Sequence, residues 1–81
     1  MRIRTLLFAS YRDMAGTDTV DVELAEGATV GDLVAALRSQ GGLWTALPDG
    51  AAVAVNHRYA PHDLPLAESD EVALIPPVAG G

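Results

Sequence analysis

Residues 29–42 read TVGDLVAALRSQGG, and this stretch decides the fold. Val30, Leu33, Val34 and Leu37 fall at i, i+3, i+4 and i+7, the spacing of one buried helical face. Thr29 is placed to cap the first turn, with Asp32 three residues on as a relative of the capping box. Gly41 and Gly42 supply the stop. No other segment carries a helical pattern of this length.

Strand and turn signals surround that helix. Residues 2–9 (RIRTLLFA) predict a strand, followed by a short polar turn or helix in SYRDMAG. Residues 18–24 (DTVDVEL) alternate, with Val20, Val22 and Leu24 on one face and Asp21 and Glu23 on the other. After the helix, LWTALPDG predicts a loop or one loose turn, and AVAVN (residues 52–56) a strand. Asn56-His57 suits a tight turn into the short segment Arg58-Tyr59. HDLPLAESD is turn-rich, and EVALI (residues 71–75) is the last strand. The order β-β-α-β-β, with one main helix across a mixed four- to five-stranded sheet, predicts an α+β fold of the β-grasp, or ubiquitin-like, kind. A ferredoxin-like split fold would need a second long helix. The expected domain occupies residues 1–76, and residues 77–81 form a flexible C-terminal tail.

One helix covers only one face of such a sheet. In the first strand Ile3, Thr5 and Leu7 alternate with Arg4, Leu6 and Phe8, and in the last Val72 and Leu74 alternate with Ala73 and Ile75. If the helix takes Ile3, Leu7, Val72 and Leu74, then Leu6, Phe8 and Ile75 face outward, and Tyr59 joins them. Burying such side chains is worth roughly 1.5–3 kcal/mol each, so an apolar set left in water predicts a docking surface.

Composition narrows the function classes. Eighty-one residues make one domain. There is no cysteine, which excludes disulfides, Cys-ligated zinc, iron–sulfur clusters and thiol catalysis. The net charge of −6 argues against nucleic acid and suits docking on basic partners. All five basic residues are arginine, so no side-chain amine is present for Schiff-base chemistry. The opening MRIRTLLFASYRD mimics a signal peptide, but Arg12 and Asp13 interrupt an apolar run that is too short. Nothing approaches a membrane span, and a cytoplasmic protein is expected.

The remaining candidates have bland readings. His57 and His62 lack the partners of a metal site and read as turn residues. Asp63, Glu68, Asp70 and Glu71 read as a solvated acidic rim. Ser10, Ser39 and Ser69 lie in no nucleophile-elbow context. Trp44 reads as a lid on the end of the core.

The last residues, IPPVAGG (75–81), are less easily dismissed. Pro76 and Pro77 favour an extended course, while Gly80 and Gly81 remove every side chain from the tip. A stiff stalk with a thin end suits threading into a narrow site.

The start RIRTLLFASYRDMAGT, the middle AVAVNHRY and above all the end DEVALIPPVAGG resemble the small, sulfur-carrying subunit of molybdopterin synthase, over nearly the whole chain. Gly-Gly alone is a weak signal, since ubiquitin-like families share it; the ending from Asp70-Glu71-Val72 through Pro76-Pro77-Val78-x-Gly80-Gly81 is the specific part, and its Pro-Pro-Val favours this family over other sulfur carriers. The resemblance implies that an ATP-dependent activating enzyme adenylates the carboxylate of Gly81, which is then converted to a thiocarboxylate. It implies a slim neighbour role for Gly80, and delivery of sulfur to cyclic pyranopterin monophosphate in the large subunit's active site. Phe8, Tyr59 and Ile75 fall at positions of the family's apolar docking patch, where aromatic residues are common at the third, so Ile75 is a mild departure. Leu6 shares their face, and Pro76, Pro77 and Val78 lead to the tip. The implied partners are the large subunit, in a hetero-oligomer, and the adenylating enzyme, with no nucleic acid or membrane. No cofactor is expected on the chain itself, ATP being used by the activating enzyme. The chain is not expected to be an enzyme alone, because it offers no nucleophile–base pair, oxyanion hole or metal set.

Two rivals keep the same fold: a sulfur carrier for thiamine or tRNA thiolation, and a protein-conjugating modifier. An acyl carrier of this length would need an Asp-Ser-Leu helix start, where this chain has Gly31-Asp32-Leu33, and four helices.

Overall fold

The computed structural model describes residues 1–77. They form β1 (Arg2–Leu7), α1 (Ala9–Ala15), β2 (Thr19–Glu23), α2 (Val30–Ser39), a 3-10 helix (Gly42–Ala46), β3 (Ala52–Val55), β4 (Arg58–Tyr59) and β5 (Val72–Ile75). The sheet order is β2-β1-β5-β3-β4. β1 and β5 run parallel at its centre, in the register Thr5↔Val72, Leu6↔Ala73 and Leu7↔Leu74. The outer pairings are antiparallel. This is the β-grasp arrangement expected from the element order.

α2 lies on one face for the reason its spacing gives. Val30, Leu33, Val34 and Leu37 are all at most 1% exposed, packed with Ile3, Leu7, Val53, Val72 and Leu74. The capping box at its start is complete: the Asp32 amide donates to Thr29 Oγ1 at 3.2 Å, and the Thr29 amide to Asp32 Oδ2 at 2.9 Å. Two more first-turn amides find partners in the 60–70 connection, Val30 donating to Leu64 O and Gly31 to His62 O. Helix termini otherwise leave these donors unpaired. A side chain at residue 31 would bring its Cβ to 3.2 Å from His62 O, so glycine allows the close approach.

That connection does more than turn. Leu66 is buried and Leu64 packs against the core, while the Leu66 amide donates to Ala28 O. Asp70 accepts from the Ala67 amide at 2.8 Å and from Asn56 Nδ2 at 3.0 Å. Glu68 accepts from the Arg2 amide at 2.8 Å. Asp63, Glu68 and Glu71 are exposed, as a solvated rim requires, although Glu68 also ties the loop to β1; Asp70, half-buried, holds two loops together and is more than a rim residue. His62 is likewise more than a turn residue, its Nε2 lying 2.8 Å from Ala51 O.

SYRDMAG folds as the body of α1, closed by Gly16 at φ 73 with its amide on Arg12 O. Tyr11 from this helix enters the core, and Trp44 closes the core's end beside Leu47. Among the described residues, no helix is long and apolar enough to cross a membrane.

Candidate functional site

The face of the sheet away from α2 is divided. Towards β2 it is charged: Arg2 Nε lies 3.0 Å from Glu23 Oε1, and Arg4 Nε 3.9 Å from Asp21 Oδ1. These are cross-strand neighbours, since Arg2 pairs with Glu23 and Arg4 with Asp21 in the β1–β2 register. The hydrogen bond to Glu23, followed by the nearby carboxylate charges, raises the pKa of Arg2 above its ordinary value. Opposite charges in register hold the edge strand in place and answer one another.

Towards β3 and β4 the same face is apolar. Leu6, Phe8, Ala54, Tyr59, Ala73 and Ile75 line a hollow of about 340 Å³, with His57 and Glu71 also at its wall. Its concavity follows from side-chain size. Ala54 and Ala73 are register partners on adjacent strands, and Leu6 pairs with Ala73 from the other side. Two methyl groups make the floor while Phe8 (47% exposed) and Tyr59 (75% exposed) stand as walls. Large apolar side chains left in water around a small-residue floor have the form of a candidate docking surface.

Local backbone places the walls. Phe8 follows β1 at the N-cap position of α1, and Ala9 after it has φ 46, a left-handed conformation costly for alanine, which turns the chain sharply into α1. Asn56 and His57 have φ 53 and 71, the paired positive values of a mirror-image hairpin turn that asparagine tolerates. This turn carries β4 back so that Tyr59 sits opposite Ala54. His57 Nε2 lies 3.3 Å from Glu71 Oε2, an exposed pair at the hollow's polar end.

A second hollow, about 350 Å³, lies where the chain leaves the sheet. Tyr11, Pro48, Gly50, Ala51, Ala52, Pro76 and Pro77 line it, and Tyr59 and Ile75 border both hollows. Desolvation raises the pKa of the Tyr11 phenol, so it stays neutral.

Of the residues singled out in the sequence, Leu6, Phe8, Tyr59 and Ile75 meet at the first hollow, and Pro76 and Pro77 at the second. Val78, Gly80 and Gly81 lie outside the described residues, as does all but the start of the expected 77–81 tail. Sequence reasoning missed Ala54 and Ala73 as the floor, and Tyr11 and Pro48 as walls. The register would have found the alanines. Tyr11, Met14 and Ala15 at i, i+3 and i+4 were a helical signal for Tyr11. Among the described residues, no three His, Asp or Glu side chains gather to hold a metal ion.

Comparison with known proteins agrees with this architecture. The model of the ThiS family matches residues 5–81. The molybdopterin synthase sulfur carrier subunit of Escherichia coli (strain K12) is 42% identical over 81 residues, covering 98% of this chain and 99% of that protein. Among solved structures, SAMP1 of Haloferax volcanii, a small archaeal modifier protein, superposes with a TM-score of 0.82 at 34% identity over 100% of both chains. A putative molybdopterin converting factor subunit 1 from Pyrococcus furiosus superposes with a TM-score of 0.81 at 31% identity, covering 96% of this chain and 99% of that one. On full-length likeness and shared fold, the chain belongs to the ThiS family, in the group of small sulfur-carrier subunits of molybdopterin synthase.

Proposed function

We propose that this chain carries sulfur in molybdenum cofactor biosynthesis, as a thiocarboxylate on Gly81. The observation that supports it most is the unpartnered apolar hollow beside β5, the strand that leads directly into Pro76-Pro77. A docking surface beside the strand that runs on towards the C-terminal glycines is what this reading requires.

The chemistry follows from what a carboxylate can and cannot do. A free carboxylate is a poor electrophile. An activating enzyme that binds ATP joins the Gly81 carboxylate to the α-phosphorus and releases pyrophosphate, leaving an acyl-adenylate. A sulfur nucleophile at the oxidation level of sulfide then attacks the acyl carbon, the bond to AMP breaks, and a thiocarboxylate remains. Glycine suits both steps because no Cβ crowds the carbonyl. In the large subunit of molybdopterin synthase, the sulfur passes to a carbon of cyclic pyranopterin monophosphate, and water restores the carboxylate. Gly80 keeps the tip slim, and Val78 completes the stalk. Leu6, Phe8, Tyr59 and Ile75 dock on the large subunit in a hetero-oligomer and, in turn, on the activating enzyme. Catalytic groups belong to those partners; the chain itself is the donor. It works in the cytoplasm, where ATP and a sulfur source are at hand.

Intact-mass measurement tests this reading. After co-expression with an activating enzyme and a sulfur source, the chain should gain the mass of one oxygen replaced by sulfur, placed on Gly81 by fragmentation. An unchanged mass under conditions that charge a related carrier would refute it. A second reading rests on the likeness to small archaeal modifier protein 1: Gly81 is joined to lysines of other proteins. Isopeptide-linked adducts in cells expressing the chain, abolished by deleting Gly81, would favour it.

A further inference from the structure

β5 pairs with β3 as far as Ile75, opposite Ala52. Pro76 and Pro77 have no amide hydrogen and cannot extend that ladder. The direction in which the chain leaves the sheet is then set by whatever the two rings meet. They border the second hollow, whose other walls include Tyr11, Pro48, Gly50, Ala51 and the exposed Tyr59.

Those walls are fixed from several sides. Tyr11 is 7% exposed and belongs to the core. The 48–51 turn is closed by the Ala51 amide on Pro48 O at 3.1 Å. Leu47, 1% exposed, anchors its start, and Ala51 O meets His62 Nε2 at 2.8 Å at its end. Within this turn Ala51 is buried, while Pro48, Asp49 and Gly50 are open to solvent. A stiff diproline that borders the same hollow as this hydrogen-bonded, partly buried wall has fewer directions available to it than a free chain end.

We infer that Tyr11 is a positioning residue: with the Pro48–Ala51 turn it braces Pro76-Pro77 and aims the chain as it leaves β5. The inference rests on the sulfur-carrier reading for its consequence, but not for its geometry. Docking and aiming are then separate tasks of adjacent surfaces. The first hollow sets how tightly the carrier binds, and the second sets how often a bound carrier presents its end productively.

Two measurements decide it. In the free wild-type protein, nuclear Overhauser effects should connect the Tyr11 ring to the Pro76 or Pro77 ring, whatever the chain's activity; their absence overturns the brace. For consequence, thiocarboxylated variants are titrated into purified large subunit. Tyr11→Ala should lower kcat by roughly tenfold to a hundredfold, the scale of an ångström-sized misplacement, with KM for the carrier within about twofold of wild type. Tyr11→Phe should restore wild-type kcat. Pro48→Gly, which removes an exposed wall without touching the core, should lower kcat in the same direction if Tyr11→Ala does not fold. Leu66→Ala, a core truncation in the 60–70 connection, should lose stability and keep kcat. A wild-type kcat in Tyr11→Ala and Pro48→Gly, or an equal loss in Leu66→Ala, overturns the inference. If wild type shows the ring contacts but transfers no sulfur, the brace stands and the sulfur-carrier reading falls.

Discussion

The two faces of one sheet obey opposite rules, although their residues alternate along the same strands. On the covered face, Ile3, Leu7, Val53, Val72 and Leu74 are all at most 2% exposed. On the bare face, the neighbours of those residues in sequence include Phe8, half in water, and Leu6 and Ile75, half-buried. Shape differs as well as exposure. The covered face meets α2 with large aliphatic side chains, whereas the bare one places alanines at its centre and aromatic rings at its margin. The covered face is filled, as stability alone requires; the bare face is left hollow and rimmed, as the proposed docking role requires.

Substitutions on the two faces should therefore separate stability from binding. The largest effect is expected from Leu74→Ala, which opens a cavity on the covered side and should cost about 2–5 kcal/mol in urea denaturation. Phe8→Asp, on the bare side, should shift the unfolding free energy by no more than about 0.5 kcal/mol. It should nonetheless weaken binding to the large subunit by about 2 kcal/mol, roughly 30-fold in Kd by calorimetry. Unfolding of Phe8→Asp with binding intact in the soluble fraction would invert the assignment of the faces.

Two smaller changes sharpen the picture of the covered side. Thr29→Ala removes half of the capping box and should cost about 1 kcal/mol, lowering Tm by roughly 4–8 °C in a domain of this size. Thr5 is the exception on the covered face: it is fully buried, and its Oγ1 has no hydrogen-bond partner among the described residues. Thr5→Val replaces that hydroxyl with a methyl group of similar shape and should stabilise the fold by about 0.5–1 kcal/mol. A loss of stability in Thr5→Val would mean that the hydroxyl is satisfied.

The same contrast explains what could be read from the sequence. α2 was legible because four apolar residues in a 3.6-residue period have one physical solution, and the faces of β1 and β5 because alternation assigns them together. Segments with few apolar residues gave weaker signals. α1 carries Tyr11 in a polar frame, and its role in the core depends on contacts distant in sequence. Leu66 sits between turn residues, and only the pairing of the 60–70 connection with the start of α2 shows why it is buried. The members of the bare-face site were legible one by one. Its concavity was not, because the alanine floor arises from the β3–β5 register, which no local pattern encodes.

The central claim is that sulfur travels on Gly81, and the most direct measurement compares the chain with a version lacking that residue. Deletion leaves the carboxylate of Gly80, chemically the same group, so reactivity alone predicts little change. Reach predicts a large one, because an extended residue spans about 3.3–3.6 Å and a misplacement of even 1 Å can cost on the order of a hundredfold. The rate of thiocarboxylate formation, followed by intact mass with the activating enzyme, ATP and a sulfur source, reads the difference. The account predicts that the shortened chain is charged at least a hundredfold more slowly; charging at the wild-type rate would contradict it.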